Sequence, residues 1–241
     1  MSLIQAGDPA VIIRNGANGG APAAVDNPVL HKGVYADLRH RLITGRITAG
    51  SGLSTRGLAL ELGVSQMPVR DALSRLAADG AVAIRSKRRI EIPAMTSERF
   101  VDLLECRLLL EPAAAALAMR HIDADQVERL RKFDDELDQA IEAKDIIGYM
   151  EGNFSFHFGL YSANSRPTLN HLIENLWLQF GPFMPVVYER YTQSDMIRPL
   201  DQHKIAIAAI LAGDEAALRH AIAEDIRDGM GLVGRHLRRA A

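Results

Sequence analysis

The sequence has few of the features that mark secreted or membrane proteins. Its 241 residues include a single cysteine, Cys106, which excludes an internal disulfide and favours a reducing, cytoplasmic location. No apolar run approaches the roughly 18 residues of a membrane-spanning helix, and the N-terminus lacks the charged-then-apolar pattern of a signal peptide. Hydrophobic residues make up 48% of the chain, which is enough for one large domain or two modest ones.

The net charge of −2 is small because two parts of opposite charge nearly cancel. Residues 31–93 carry 11 Lys and Arg against 5 Asp and Glu, whereas residues 94–241 carry 16 against 23. A basic module joined to an acidic one suggests that only the first binds a polyanion. Residues 1–30 are rich in Gly, Ala, Asn and Pro, and we expect a disordered N-terminal arm because they have too little apolar surface to offset the entropy of ordering.

The most informative stretch, residues 53–93, predicts two short helices joined by a tight turn and then a two-stranded ribbon. Apolar residues recur at helical spacing in both helices. Ser54 or Thr55 is expected to cap the first helix, Gly63 to end it and Ser65 to cap the second. A helix pair with a glycine turn suits placement of the second helix in the DNA major groove, and a basic ribbon tip suits phosphate contact. The alternative is a helical hairpin packed for structure, with solvated charges.

An amphipathic helix over residues 31–45 precedes this unit and predicts a three-helix domain with a basic wing. The string VYADLRHRLITGRITAGSGLSTRGLALELGVSQMPVRDALSRLAADGAV resembles the winged helix-turn-helix of the GntR family of bacterial transcription regulators. The resemblance implies that residues 31–93 bind DNA and that Arg56, Ser65 and Arg70 contact it. With the exposed start of the second helix and the ribbon tip, the predicted DNA-binding residues are Arg56, Ser65, Gln66, Met67, Arg70, Lys87, Arg88 and Arg89.

The chain departs from the family pattern at three places. Ala49 stands where the family usually has Pro, and the ribbon tip lacks the usual Gly. Gln66 stands where the family usually has Arg, which exchanges a cation suited to guanine or phosphate for an amide suited to adenine. We therefore expect an operator that differs from the family's usual half-site.

After a linker at residues 94–97, residues 98–238 predict an all-helical domain. Six helices are expected, at 97–120, 123–143, 145–163, 166–190, 195–212 and 214–238. Asp123 with Gln126 forms a capping-box pattern, while Pro182 and Pro185 are expected to kink the fourth helix. The segments ECRLLLEPAAAALA, NFSFH and DQHKIAIAAILAGDEAALRHAIAEDI resemble the FCD ligand-binding domain of the FadR subfamily. The predicted fold is thus mainly α: a winged helix-turn-helix with a small β-wing, then a six-helix FCD-type bundle.

Polar residues inside this domain suggest a metal or effector site. His157, His203 and Asp225 fall on three helices that each have an apolar inward face, and imidazole with carboxylate suits Zn, Ni, Mn or Fe. The resemblance implies a fourth position, because metal-binding FCD domains have an Asp four residues before the first His; Asn153 occupies it here. Asp225 in turn stands where those domains have a third His. The alternatives are a core histidine and a metal-free pocket whose residues bind an effector directly.

Arg107 and Glu111 lie one helical turn apart in the first helix of this domain. They predict either a structural ion pair or, as the resemblance implies, an Arg that holds an effector carboxylate. Asn175, Trp177, Tyr188 and Tyr191 are further candidates for the pocket wall. The predicted effector-binding set is Arg107, Glu111, Asn153, His157, Asn175, His203 and Asp225, and the predicted metal set is Asn153, His157, His203 and Asp225.

These patterns and resemblances predict a transcription regulator, with repression favoured, that binds double-stranded operator DNA as a homodimer. A small carboxylate metabolite is expected to control DNA binding, with one divalent metal ion as a candidate cofactor. The alternatives are a regulator that responds to the metal itself and a metalloenzyme fused to a DNA-binding domain. The second is disfavoured because no further general base or nucleophile accompanies the His/Asp set, so the chain is not expected to be an enzyme.

Overall fold

The computed structural model describes residues 28–86, 89–185, 188–189 and 201–240, most of them helical. A short 3-10 turn at Gly181–Phe183 follows the helix Pro167–Phe180. None of the helices in these ranges is long and apolar enough to span a membrane. In chain order the elements are α1 (Pro28–Ile43), α2 (Thr55–Glu61), α3 (Gln66–Ala78), β1 (Ala83–Ser86), β2 (Arg89–Glu91), α4 (Ser97–Met119), α5 (Ala124–Glu142), α6 (Ile146–Tyr161), α7 (Pro167–Phe180), α8 (Gln202–Ala212) and α9 (Glu215–Ala240).

The first three helices and the two strands pack around one apolar core. Leu38 and Leu42 of α1 meet Leu73 and Leu76 of α3, and all four side chains are buried. α1 begins at Pro28, slightly before the predicted start at residue 31. Proline fits a first turn because its φ is already helical and the N–H that it lacks would have no helical acceptor. The predicted helices with a small β-wing are therefore present.

The helix ends of α2 and the start of α3 follow the predicted capping chemistry in two of three respects. Ser54 Oγ accepts from the backbone N–H of Gly57 at 3.0 Å. Gly63 adopts φ +65°, the left-handed conformation that favours glycine. Ser65 occupies the N-cap position of α3, but its hydroxyl makes no capping hydrogen bond. The side-chain cap predicted there is wrong, because position in the chain does not fix the hydroxyl's rotamer.

The wing is a short antiparallel ribbon. Ala83 pairs with Glu91 and Ile84 with Ile90, and the register shifts before Ser86. Ile90 is buried and pairs also with Leu53, which ties the ribbon to the segment before α2. The predicted tip residues Lys87 and Arg88 lie outside the described residues.

The helical domain differs from the prediction mainly in its fourth and fifth helices. The fourth, predicted over 166–190, is interrupted: α7 ends at Phe180, the 3-10 turn follows, and residues 184–185 and 188–189 are helical again. Pro182 explains this end, since it has no N–H to donate to the carbonyl one turn earlier. The fifth was expected from residue 195; residues 195–200 lie outside the described residues, and α8 begins at Gln202 after a cap by Asp201. The capping box of Asp123 and Gln126 is confirmed.

α1 of the winged helix packs against α7 of the helical domain. The joint is made largely of main chain: Ala49 N–H donates to Pro182 O at 3.0 Å, and a Cβ on Gly181 would overlap the carbonyl oxygens of Leu42 and Ile43. An ion pair between Arg39 and Glu174 borders this contact. The winged helix and the helical domain are therefore in direct contact where α1 meets α7.

Arg99, at the start of α4, forms a second link between the two parts. Its guanidinium donates to Gly80 O at 3.2 Å and to Gln179 Oε1 at 3.3 Å. It also donates to Pro93 O at 2.9 Å, in the linker. One side chain therefore connects the end of α3, the linker and α7.

Candidate functional site

The start of α3 presents the predicted DNA-contacting side chains to solvent. Ser65, Gln66, Met67 and Arg70 are all exposed, as is Arg56 on α2. Their neighbours Pro68 and Val69 are buried, so the same short segment anchors α3 and offers its N-terminal end outward. An exposed helix start of this kind suits insertion into a major groove.

The wing holds two exposed cations around one carboxylate. Arg85 Nε lies 2.6 Å from Glu91 Oε1, and Arg89 Nε lies 3.2 Å from Glu91 Oε2. The hydrogen bond from Arg85 is the largest influence that lowers the pKa of Glu91. Arg85 was not among the predicted DNA-binding residues, although its place in β1 next to the basic tip was readable from the sequence.

The helical domain brings three of the predicted ligands together. His157 comes from α6, His203 from α8 and Asp225 from α9, and one ligand atom of each lies within 4.8 Å of the other two. His157 Nε2 is 3.1 Å from Asp225 Oδ2, and His203 Nε2 is 3.8 Å from Asp225 Oδ1. The two histidines are buried, whereas the Asp225 side chain is 27% exposed. The centre therefore has a buried imidazole side and a partly open carboxylate side.

Hydrogen bonds to the outer ring nitrogens orient both imidazoles. The Tyr161 hydroxyl donates to Glu111 Oε2 at 2.8 Å, so its oxygen is free to accept from His157 Nδ1 at 3.1 Å. His203 Nδ1 lies 3.3 Å from a carboxylate oxygen of Asp134, which can only accept. In a ring with one proton, these partners favour that proton on Nδ1, which leaves the Nε2 lone pair for a metal ion. Without a metal ion, a proton on His157 Nε2 donates to Asp225 instead. Buried outer partners of this kind fix the ring orientation of metal-ligating histidines.

Asp134 and Tyr161 contact the two candidate histidines and were not among the predicted site residues. Tyr161 follows His157 by one helical turn, a spacing that could have drawn attention to it. Asp134 is buried on α5 among apolar residues and is distant in sequence from His203. Nothing local marks that pairing, because it depends on the packing of α5 against α8.

The charged groups of the centre lower the pKa of Asp225 and raise the pKa of His203. Burial opposes ionisation of Asp225, but the hydrogen bond from His157 and the charges of His157, His203 and Arg107 hold the pKa of Asp225 at about 2. Burial also opposes protonation of His203, yet its hydrogen bond to Asp134 and the charge of Asp225 raise its pKa. The site thus favours a cationic charge between its ligands.

A second acidic cluster lies beside the centre. Asp134, Asp138 and Asp201 place carboxylate oxygens close together. The ammonium of Lys204 lies 2.6 Å from both Asp138 and Asp201 and 3.5 Å from Asp134. This cluster already binds a cationic side chain, and it fixes the carboxylate that orients His203.

Arg107 and Glu111 form the ion pair that was one of the two predicted readings. Arg107 Nε donates to Glu111 Oε1 at 2.5 Å and Nη2 donates to Oε2 at 3.3 Å, and both side chains are buried. The guanidinium carbon lies 4.6 Å from the Trp177 ring centroid and 5.4 Å from that of Phe180. Nη1 makes no hydrogen bond within the described part of the chain. Through Glu111 and Tyr161 this pair is connected to His157.

The other predicted pocket residues fall in different places. Asn153 is buried one turn before His157 on α6. Asn175 is not brought to the centre, because it accepts from Gln179 Nε2 at 2.8 Å and so lies on the side of α7 that faces Arg99. Tyr188 is buried with its ring 5.1 Å from that of Tyr149. Tyr191 lies outside the described residues.

A winged helix with an exposed recognition helix, joined to a helical domain with a polar centre, defines a DNA-binding regulator with a separate regulatory domain. The gntR family of bacterial regulatory proteins matches residues 30–92, and the FCD domain matches residues 102–228. The chain therefore belongs to the GntR family of transcription regulators and carries an FCD domain. The resemblance seen in the sequence is confirmed.

Two relatives and a solved structure illustrate the similarity. The chain is 28% identical to the HTH-type transcriptional regulator McbR of Escherichia coli K12 over 83% of this chain and 90% of that one. It is 26% identical to the gluconate operon transcriptional repressor of Bacillus subtilis over 81% of each. The structure of E. coli McbR/YncC superposes with a TM-score of 0.76, covering 86% of this chain and 98% of that one. These relatives and both families are transcription regulators, which agrees with the expectation that the chain is not an enzyme.

Proposed function

We propose that this regulator binds its operator as a homodimeric repressor and that a small carboxylate metabolite, bound at a metal ion held by His157, His203 and Asp225, controls that binding. The observation that carries the proposal is the convergence of two imidazole Nε2 atoms and one carboxylate in a buried polar centre. Hydrogen bonds through Glu111 and Tyr161 connect His157 of this centre to Arg107.

The donor set fits a divalent metal ion. Both Nδ1 atoms have buried oxygen partners, which leaves the Nε2 lone pairs directed at the site. Two imidazoles with one carboxylate suit Fe, Mn, Ni or Zn and leave coordination positions open. When bound, such an ion would act as a Lewis acid that holds a chelating carboxylate. Asn153 remains our candidate for a fourth partner through its amide oxygen.

The effector that we infer is an anionic, oxygen-rich molecule. Arg107 supplies a buried cation at the centre, and its Nη1 makes no hydrogen bond within the described residues. The Bacillus relative is named for a gluconate operon, and gluconate is a hydroxy-carboxylate of the kind that chelates divalent metals. We therefore propose Arg107, Glu111, His157, His203 and Asp225 as the core of the effector site.

The DNA-binding role that we propose for individual residues follows from their exposure on the winged helix. Arg56, Ser65, Met67 and Arg70 would position α3 in the major groove, while Gln66 would read an adenine. Arg89, Lys87 and Arg88 would contact the backbone from the wing. Two copies in a homodimer would place two recognition helices on a pseudo-palindromic operator. We expect the protein to act in the cytoplasm.

The link from effector to DNA that we propose runs through α7. Trp177 and Phe180 on this helix contact Arg107, whereas Glu174 and Gln179 contact Arg39 and Arg99 at the winged helix. An effector that binds one arrangement of α7 better than another would shift the two DNA-binding domains accordingly. A coupling of about 1–3 kcal/mol is typical of such switches.

Elemental analysis of the natively purified protein tests the metal centre. We expect near-stoichiometric divalent metal in the wild type and its loss in the His157→Ala/His203→Ala double variant. His121→Ala/His171→Ala, which alters two exposed histidines, is the matched control and should keep the metal. An intact fold without metal in the wild type would refute the metal centre.

Operator binding tests the control by a metabolite. DNA selected from a random library would be titrated at physiological salt with gluconate, citrate or malonate, and with glucose as an uncharged control. We expect at least one carboxylate, and not glucose, to change the affinity. If metal alone abolished operator binding and no carboxylate added to the effect, the metal-responsive alternative would replace this proposal.

A further inference from the structure

A buried polar atom beside the candidate centre lacks a partner. Trp177 on α7 is 2% exposed, and no acceptor for its Nε1 exists among the described residues. An indole N–H can only donate, so a change of tautomer or charge does not supply the missing bond. Native proteins rarely leave such a donor buried without an acceptor, because its desolvation is then uncompensated.

The surroundings of the indole show which kind of group is missing. The Arg107 guanidinium carbon lies 4.6 Å from the ring centroid, and the His157 ring lies 5.1 Å from it. Arg107 and His157 are themselves 4% and 1% exposed. The remaining ring neighbours, Phe154 and Phe158, are apolar. The ring contacts of the indole among the described residues are thus a cation, an imidazole engaged elsewhere and hydrocarbon, and none of the described oxygens accepts from Nε1.

We propose that the indole N–H of Trp177 donates a hydrogen bond to an oxygen of the bound effector and so helps to determine which molecules this site accepts. The inference rests on the proposed function, because it requires an organic effector at the His157/His203/Asp225 centre. The chemical class is set by the neighbours: the N–H selects an oxygen acceptor, and the adjacent Arg107 favours an anionic one. A carboxylate flanked by hydroxyl groups satisfies both.

Trp177 acts differently from the residues already assigned. It cannot ligate a metal, so its removal separates effector recognition from metal binding. Trp177→Phe deletes the N–H and keeps an aromatic ring in the same place. Phe158→Leu is the matched control, because its ring packs against the indole at 5.3 Å between centroids and carries no hydrogen-bonding group.

Isothermal titration calorimetry on the full-length, metal-loaded protein tests the inference. The probe is whichever of gluconate, citrate and malonate changes operator affinity at the lowest concentration. We expect Trp177→Phe to bind it roughly 10- to 100-fold more weakly, as the loss of one hydrogen bond to an anion predicts. Metal content should match the wild type, because the indole is not a ligand, and Phe158→Leu should bind the probe within about threefold of the wild type.

Three outcomes would overturn the inference, and they are distinguishable. If Trp177→Phe binds the probe as well as the wild type, the indole N–H makes no bond to it, while the proposed function stands. If Phe158→Leu loses as much affinity as Trp177→Phe, ring packing and not the donor is responsible. If none of the three carboxylates binds the wild type, the proposed control by a metabolite fails and this inference fails with it.

Discussion

The Nε2 atoms of His157 and His203 face each other at 3.4 Å, each on an imidazole whose other nitrogen is held by a buried oxygen. A hydrogen bond between these two nitrogens needs a proton on one of them, whereas a metal ion in the same space would use both lone pairs. Asp225 supplies the compensating negative charge from a third helix.

Tyr161→Phe should weaken metal binding without removing a ligand. The hydroxyl accepts from His157 Nδ1 and donates to Glu111, so its loss frees the imidazole and leaves a buried carboxylate oxygen without a donor. We expect metal affinity to fall about 10- to 100-fold and the free energy of unfolding to fall by about 1–3 kcal/mol. Chelator competition and denaturant melts measure these changes.

Tyr35→Phe is the matched control for that variant. Its hydroxyl donates to Asp79 at 3.1 Å in the winged helix, far along the chain from the metal centre. It should alter stability only modestly and leave metal affinity unchanged. Equal metal affinity in wild type and Tyr161→Phe would show that the hydroxyl does not orient His157.

Protonation of His203 should make the metal-free protein more stable at lower pH. The pKa of His203 is raised in the folded state by Asp134, Asp225 and Asp201, with His157 opposite. A raised folded pKa contributes stability that is fully present below the ordinary value of 6.5 and is lost as pH rises through the folded value. Asp225 adds no pH dependence to the stability in the neutral range, since its pKa lies at about 2.

Melting the metal-free protein across the neutral range tests this expectation. The wild type should lose stability with rising pH relative to His203→Gln, which has no proton to lose. Metal affinity should show the opposite trend, because metal and proton compete for Nε2. Identical pH profiles for the two proteins would contradict the assignment.

Gly181→Ala should disturb the joint between the two domains. A Cβ there would overlap backbone carbonyls of α1, and backbone cannot move aside as a flexible side chain can. We expect a loss of about 1–3 kcal/mol in the free energy of unfolding, together with a changed response of operator affinity to the effector. Gly229→Ala in α9, where a Cβ would meet nothing, should instead be neutral or stabilise by up to about 1 kcal/mol.

Gln66→Arg should change the base that the recognition helix prefers. The exposed amide at the start of α3 suits the paired donor and acceptor of adenine, whereas a guanidinium suits guanine. Selection from a random DNA library should show adenine replaced by guanine at one position of each half-site, with discrimination of about 1–3 kcal/mol. Leu60→Arg adds a cation at another exposed position, on α2, and should leave that position unchanged.

Local patterns in the sequence predicted those features that depend on neighbours in the chain. The cap at Ser54, the left-handed Gly63 and the capping box at Asp123 are set within a single turn, and all three are confirmed. The kink predicted at Pro182 corresponds to a 3-10 turn that has helical residues on both sides. The gathering of His157, His203 and Asp225 in one place followed from helix phase and family resemblance together.

The remaining features depend on contacts between distant parts of the chain. Asp134 holds His203 from a helix far earlier in sequence, and no spacing rule connects them. The placement of Asn175 toward Arg99 rather than the centre depends on the rotation of α7 against two domains at once. These contacts are determined by tertiary packing, and the spacing of apolar residues along the chain does not predict them.

Trp177 has one more consequence, because the chain contains only one tryptophan. All indole fluorescence of the folded protein comes from a ring that lies 5.1 Å from His157 and next to Arg107. The chain therefore has a built-in optical reporter, and its emission can be followed while a quenching metal such as Ni²⁺, an effector or operator DNA is added, without any label.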